Sequence, residues 1–356
     1  MVHRHNRYAF LDGIRGMAAI FVLTLHTQDF WHLRFFRSYL AVDLFFILSG
    51  FVIAYAYDEK LRSGKISAPK FLLIRIIRLY PVYLLSLFIC ASILIESILK
   101  HKLRVEYGET ISAIALAALF LPFRMTGSSY LFSINPPYWS LFFELVTNAL
   151  YAITRPLLSD VALASVVLVS GIFLAMVSFV HGNLDVGYAW GYWSLIAGFL
   201  RSVFGIFFGL LLFRHRLFLS TVLSRTKFIS PWLAFCIIAA ILASPSLEHF
   251  DYIIDIFAVA ILFPISVLVA SQGQTSRFQS WLLILGKASY PIYVLHEPVS
   301  DFCQYIFKSS INAYAPVSGI VLVALLIVFS MLIETWYDVP LRSWLSNKAL
   351  PNKALR

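Results

Sequence analysis

Charged residues are scarce in this sequence: Asp, Glu, Lys and Arg make up only 13% of its 356 residues, about half of what an ordinary soluble domain carries. That shortage excludes a soluble globular fold, because 60% of the chain is hydrophobic and 16% aromatic, and too few polar residues remain to cover an aqueous surface. Cysteine is almost missing. Cys90, Cys236 and Cys303 lie scattered in apolar runs with neither a pairing pattern nor metal-ligand spacing, so a disulfide framework and a thiolate metal centre are both excluded. There is no internal repeat and no appended soluble domain, and no small-residue cleavage site follows the first apolar run. That run reads as an uncleaved first span rather than a signal peptide. The net charge of +10 sits beside the apolar runs and not on one soluble face, so it speaks of membrane topology and against nucleic acid as a partner.

What the chain does have is apolar runs near the ~20 residues that cross a bilayer as helix. They fall around 9–27, 39–57, 79–98, 138–154, 161–180, 197–213, 231–244, 252–270, 281–303 and 316–336. The expected fold is all-α, a polytopic integral membrane protein of about ten spans. Residues 111–123 are too short to cross alone, and 187–200 runs into the next span; each is a half-helix, an interfacial helix or a miscounted span. Basic residues test the count, since they collect on the cytoplasmic side. With both termini inside and 111–123 outside, Lys and Arg divide 20 inside to 8 outside, which supports ten spans. One membrane domain is expected over 1–342, followed by a short basic cytoplasmic tail over 343–356.

Ionisable groups within spans cost roughly 2.5–3.5 kcal/mol each on insertion scales unless paired or hydrated, and so point to function. Arg15 and His26 lie eleven positions apart in the first span, only ~20° apart around the axis and ~16 Å apart along it. One face thus carries a guanidinium near the inner surface, suited to phosphates, and an imidazole three turns further out, suited to proton transfer. The plainer reading is an arginine snorkelling to headgroups and a histidine satisfied by a neighbouring helix. The alignment of the two favours function.

At this point the motifs resemble a known family. Tyr8, Asp12, Gly13, Arg15 and Gly16, followed by His26, resemble the first-helix signature of the acyltransferase family 3 membrane proteins. Val42–Phe46 with Leu48–Phe51, the pair Arg75 and Arg78 before Tyr80–Pro81, and Trp139–Leu141 with Glu144 and Tyr151 are similar to its later motifs. So are Ser289–Tyr293 with His296, and Glu334 with Pro340 and Arg342. Their order over residues 8 to 342 is more specific than any one of them. The sequence departs from the family in carrying Leu40–Ala41 where two glycines commonly precede the valine–aspartate pair.

The resemblance implies transfer of an acyl group, commonly acetyl, from acyl-CoA to a hydroxyl of a surface or lipid-linked glycan, in the inner membrane of a bacterium and with no permanently bound cofactor or metal. Arg15, Arg75 and Arg78 are expected to hold the CoA phosphates, although Arg75 and Arg78 also read as ordinary positive-inside anchors. His26 is expected to act as general base, oriented by Glu144 or Asp43. Asp43 alternatively pairs with an arginine or caps its helix, and Glu144 is alternatively structural. Trp139, Ser49, Tyr290 and His296 are candidates for substrate contacts. Trp139 equally suits an interfacial aromatic belt, Ser49–Gly50 a close helix crossing, and His296 a bond to a neighbouring helix or a second pair with Glu297. A single pore is expected to join the arginines to the imidazole, with the pantetheine arm spanning the ~16 Å between them. A covalent acyl-histidine and direct transfer both stay open. Rival readings are a secondary transporter, which would show two related halves, and a polyprenyl-phosphate sugar transferase.

Overall fold

Lipid offers no hydrogen bonds, so a backbone that enters it must satisfy its own polar groups within each segment, and the apolar runs accordingly fold as helices. The computed structural model describes residues 8–100, 105–224, 230–273 and 277–350. Their helices are α1 (Ala9–His26), α2 (Ala41–Arg62), α3 (Ala68–Leu99), α4 (Tyr107–Ala118), α5 (Tyr138–Thr154), α6 (Asp160–His181), α7 (Tyr192–Ser224), α8 (Pro231–Ala243), α9 (Asp251–Phe257), α10 (Phe263–Ser271), α11 (Gln279–Ala313), α12 (Val317–Ile333) and α13 (Val339–Ala349). Local signals set several boundaries. Ser159 and Ser230 accept the backbone N–H groups of Ala162 and Leu233 and so cap α6 and α8, while Gly182, at φ +90°, closes α6 in a conformation that favours glycine.

Each of the ten expected spans coincides with a helical run, but among the described residues seven helices are long and apolar enough to cross a membrane. These are α1, α2, α3, α6, α7, the joined α9–α10 run and α12. The shortfall has plain causes. Helix α5 has 17 residues and α8 has 13, while α11, at 35 residues, is interrupted by polar side chains. The protein is thus a multi-pass integral membrane protein. Residues 111–123 supply only most of the 12-residue α4, and 187–200 is no separate span because α7 starts at Tyr192 after an irregular segment. Of the expected tail, residues 343–349 are helical. They complete α13, which packs on α3 and whose Arg342 pairs with Glu334 and Asp338. The rest of the expected tail, 351–356, lies outside the described residues, as do the counted basic residues at positions 4, 7, 102, 104, 225, 227, 353 and 356.

Two close helix crossings organise the bundle. Helices α1 and α11 lie side by side: a Cβ on Gly13 would strike the Leu282 side chain, one on Gly16 would lie 2.5 Å from the Leu285 carbonyl oxygen, and one on Gly286 would strike Asp12. Helix α2 meets α7 in the same manner, with Gly50 against the Ile206 carbonyl and Gly209 against that of Ile47. Small residues let backbones approach closely where lipid supplies no hydrophobic drive between helices. The end of the bundle where α1 begins is called the base below, and the opposite end the top.

Gly16→Ala forces α1 and α11 apart, because the obstacle is backbone and not a flexible side chain. A loss of about 1–3 kcal/mol is expected, read as a lower unfolding temperature in detergent. An unchanged midpoint would mean that the crossing is looser than described.

Candidate functional site

The α1–α11 contact carries polar side chains to two depths. At the base end it opens on a cavity of about 100 Å³ lined by Arg15, Ser49, Arg75, Arg78, Glu144 and Tyr290. Helices α1, α2, α3, α5 and α11 each contribute at least one of these residues. The Arg75 guanidinium donates to Glu144 Oε1 at 2.5 Å and Ser49 Oγ donates to the same oxygen at 2.6 Å. Arg15 stands 3.7 Å from Asp12, and Arg78 has no ion pair among the described residues. Three guanidiniums thus face two carboxylates, and the excess charge favours an anion. Arg78 also lines a groove of about 460 Å³ between α3 and α13, together with Arg342 and Ser343.

Nearer the top lies a second cavity of about 220 Å³, lined by His26, Tyr130, Trp139, Asp185, Tyr188 and Arg201. Val42 and Tyr293 line both cavities. The stripe that carries Arg15 and His26 therefore serves two adjoining cavities and not the single pore expected. Tyr293 fills the depth between them, its hydroxyl donating to the Pro137 carbonyl at 3.2 Å and sharing a hydrogen bond with Ser140 at 2.5 Å.

His26 Nδ1 faces Glu297 Oε1 at 2.7 Å. Neither carboxylate expected to orient the imidazole does so. Glu144 belongs to the arginine cluster of the lower cavity, and both oxygens of Asp43 accept from Arg201, at 3.0 and 2.6 Å, in a pair almost wholly buried. Burial explains the second choice: a carboxylate at that depth needs a full counter-charge, and a half-exposed imidazole is a weak one. Glu297 itself is held by a repaired helix break. Pro298 lacks the N–H that would bond the Val294 carbonyl, and Ser86 Oγ and Asn135 Nδ2 donate to that oxygen instead, at 2.5 and 3.0 Å.

His296 lies beside this pair, its ring centre 5.1 Å from that of His26. Its Nδ1 bonds the carbonyls of Tyr293 and Ile292, while its buried Nε2 has no hydrogen-bond partner among the described residues. One donor atom from each of His26, His296 and Glu297 lies within 4.8 Å of the others, which makes them the group able to hold a metal ion among the described residues. Trp139 is only 6% exposed and the Arg201 guanidinium sits 5.1 Å from its ring centre, so its face is occupied by the protein. The open aromatic surface belongs instead to Tyr130 and Tyr188, on two segments joined where Leu131 N–H donates to the Tyr188 carbonyl and Trp190 N–H to that of Ser129. Sequence reasoning passed over Tyr130, Tyr188, Asp185 and Arg201. Only Arg201, a cation inside an apolar run, had a signal to find it by.

A family described as an acyltransferase domain matches residues 8–337. Protein 2 in the picA locus of Rhizobium radiobacter is 46% identical over 159 residues, which cover 41% of this chain and 81% of that protein. The O-acetyltransferase OatA of Staphylococcus aureus is 26% identical over 337 residues, 89% of this chain and 54% of OatA, so the chain spans about half the length of that relative. No solved structure matches.

Asp43→Ala leaves Arg201 uncompensated in a buried site, which costs about 3–5 kcal/mol. A large drop in folded yield and in unfolding temperature is expected. A variant of normal stability that had lost only activity would instead mark Asp43 as a chemical group.

Proposed function

The chain belongs to the acyltransferase domain family, and from that premise we propose that it is a membrane O-acyltransferase, taking an acyl group from acyl-CoA at the base of the bundle and delivering it to a sugar hydroxyl at the top. In this reading the base is cytoplasmic, the membrane is the inner membrane of a bacterium, and the acceptor belongs to a surface or lipid-linked glycan. The acyl group is acetyl, as the name of the relative OatA suggests. The observation that carries the reading is the pair of cavities meeting at Val42 and Tyr293, one lined by Arg15, Arg75 and Arg78 and the other by His26.

Guanidiniums grip phosphate oxygens through paired N–H groups and keep their charge at any accessible pH. Arg15 and Arg78 take the donor's phosphates, with Arg75 held in place by Glu144 and Ser49. The groove shared by Arg78 and Arg342 receives the nucleotide end. The pantetheine arm then runs up the α1 face, a reach of ~16 Å, and its thioester passes between Val42 and Tyr293. Glu297 accepts a hydrogen bond from His26 Nδ1–H, which leaves Nε2 as the base. Nε2 takes the proton of the acceptor hydroxyl while that oxygen attacks the thioester carbonyl. The new C–O bond forms, the C–S bond breaks, and the proton passes to the departing sulfur, so that CoA leaves as free thiol on the side it entered.

His26→Ala is expected to lower acyl transfer by about 10²–10⁴-fold, the range of general-base contributions, and Glu297→Gln by on the order of tenfold or more, with the fold retained. The assay supplies acetyl-CoA labelled in its acetyl group to the purified protein, beside labelled polyprenyl-linked sugar as the competing donor. Consumption of the sugar donor alone, or undiminished transfer by folded His26→Ala, would refute the assignment. Because His26 and Glu297 serve proton transfer here, a chelator is expected to leave the rate unchanged; abolition reversed by a divalent metal would assign these two residues, with His296, to an ion.

A further inference from the structure

The upper cavity holds a carboxylate that the transfer chemistry does not use. Asp185 lies in the irregular segment between α6 and α7, where its backbone N–H bonds Asn183 Oδ1 at 2.9 Å and its side chain lines the cavity that holds His26. Among the described residues no hydrogen bond or ion pair reaches its carboxylate. The other deeply placed aspartates of this half are satisfied: Asp43 by Arg201, Asp251 by Arg37, and Asp255 by Tyr39 Oη at 2.7 Å and the Leu184 N–H at 2.9 Å. Nearby cations do not answer Asp185. Arg201 is committed to Asp43 and to the carbonyls of Val186 and Tyr39, and Arg34, exposed at the mouth, rests 5.3 Å from the centre of the Phe36 ring. Burial pushes the Asp185 carboxyl above the ordinary carboxylate range.

A half-buried carboxylate without a protein partner is open to a ligand that supplies an O–H donor, which it accepts in a charge-assisted bond. The cavity's shape narrows the ligand. Its volume of about 220 Å³ gives room to seat a sugar ring. Tyr130 and Tyr188, with ring centres 6.1 Å apart, offer apolar faces for such a ring. A second carboxylate brought into this space would be repelled by Asp185.

We propose that Asp185 is the acceptor-selecting residue: it takes a hydrogen bond from a hydroxyl adjacent to the one that His26 deprotonates, and the acceptor presents a sugar residue with vicinal hydroxyls and no carboxylate, seated against Tyr130 and Tyr188. The proposal rests on the acyl-transfer reading and adds to it the class of acceptor.

The test uses the full chain in proteoliposomes with labelled acetyl-CoA, and two probes of equal size: 4-nitrophenyl β-glucoside and the anionic β-glucuronide. Label on each glycoside and free CoA thiol are both measured. The wild type is expected to label the glucoside at least tenfold more efficiently than the glucuronide. Asp185→Asn, which loses no protein partner, should keep its unfolding temperature, raise the glucoside KM about tenfold or more with little change in kcat, and narrow the glucoside preference. Asp185→Glu is expected to restore part of the affinity. An unchanged KM in Asp185→Asn, or a wild-type preference for the glucuronide, overturns the proposal. Thiol release with no glycoside labelled overturns the sugar class while leaving the chemistry intact. No thiol release at all removes the acyl-transfer reading, and this proposal with it.

Discussion

The near-contact of two helix backbones is the constraint on which the rest of this protein depends. Helix α1 carries Arg15 and His26 but no partner for the imidazole, and α11 carries Glu297. They meet at 2.7 Å because Gly13, Gly16 and Gly286 place nothing between the helices. In lipid this close approach is itself the attraction, since packing and not water exclusion draws helices together. The same residues that hold the bundle therefore set the geometry of its chemistry, and a change in the crossing alters both.

Charge is managed in a graded way along the bundle. Asp58 is gripped by Arg155 and Arg214 near the base, and Asp43 with Arg201, and Arg37 with Asp251 and Asp255, near the top. These pairs answer the desolvation cost of ionised groups in an apolar surrounding, and they join helices that are far apart in sequence. The groups lining the cavities are treated differently. Arg78 and Asp185 have no ion pair within the described residues, and Arg15 only a long one. Where the protein could have neutralised a charge and has not, the charge is left for a ligand, cationic below and anionic above.

Much of this was legible in the chain itself. Apolar run lengths locate every main helix, although α3, α7 and α11 extend well beyond their expected runs at one end, and the helical repeat alone aligns Arg15 with His26 on α1. Part of the lower cavity was legible too, as Arg15, Arg75 and Arg78 were expected together at the inner surface and all line it, whereas Ser49, Glu144 and Tyr290, which line it with them, were expected in other roles. The partner of His26 was misjudged because depth along separate spans says how high a residue sits and not which way it faces. Asp43 was plausible by height yet is turned toward Arg201, and Glu144 lies lower than expected, bonded to Arg75.

Composition and periodicity by themselves decide that this chain lives in a membrane as a helical bundle and that one face of its first helix carries a cation and an imidazole, because these follow from local chemistry and the rise per residue. The tertiary structure alone decides that Glu297 and not Glu144 meets His26, that Tyr293 divides the space into two cavities, and that Asp185 stands uncommitted in the upper one. Those facts depend on how helices distant in sequence rotate about their axes and how two irregular segments fold over the top, and no local pattern encodes either.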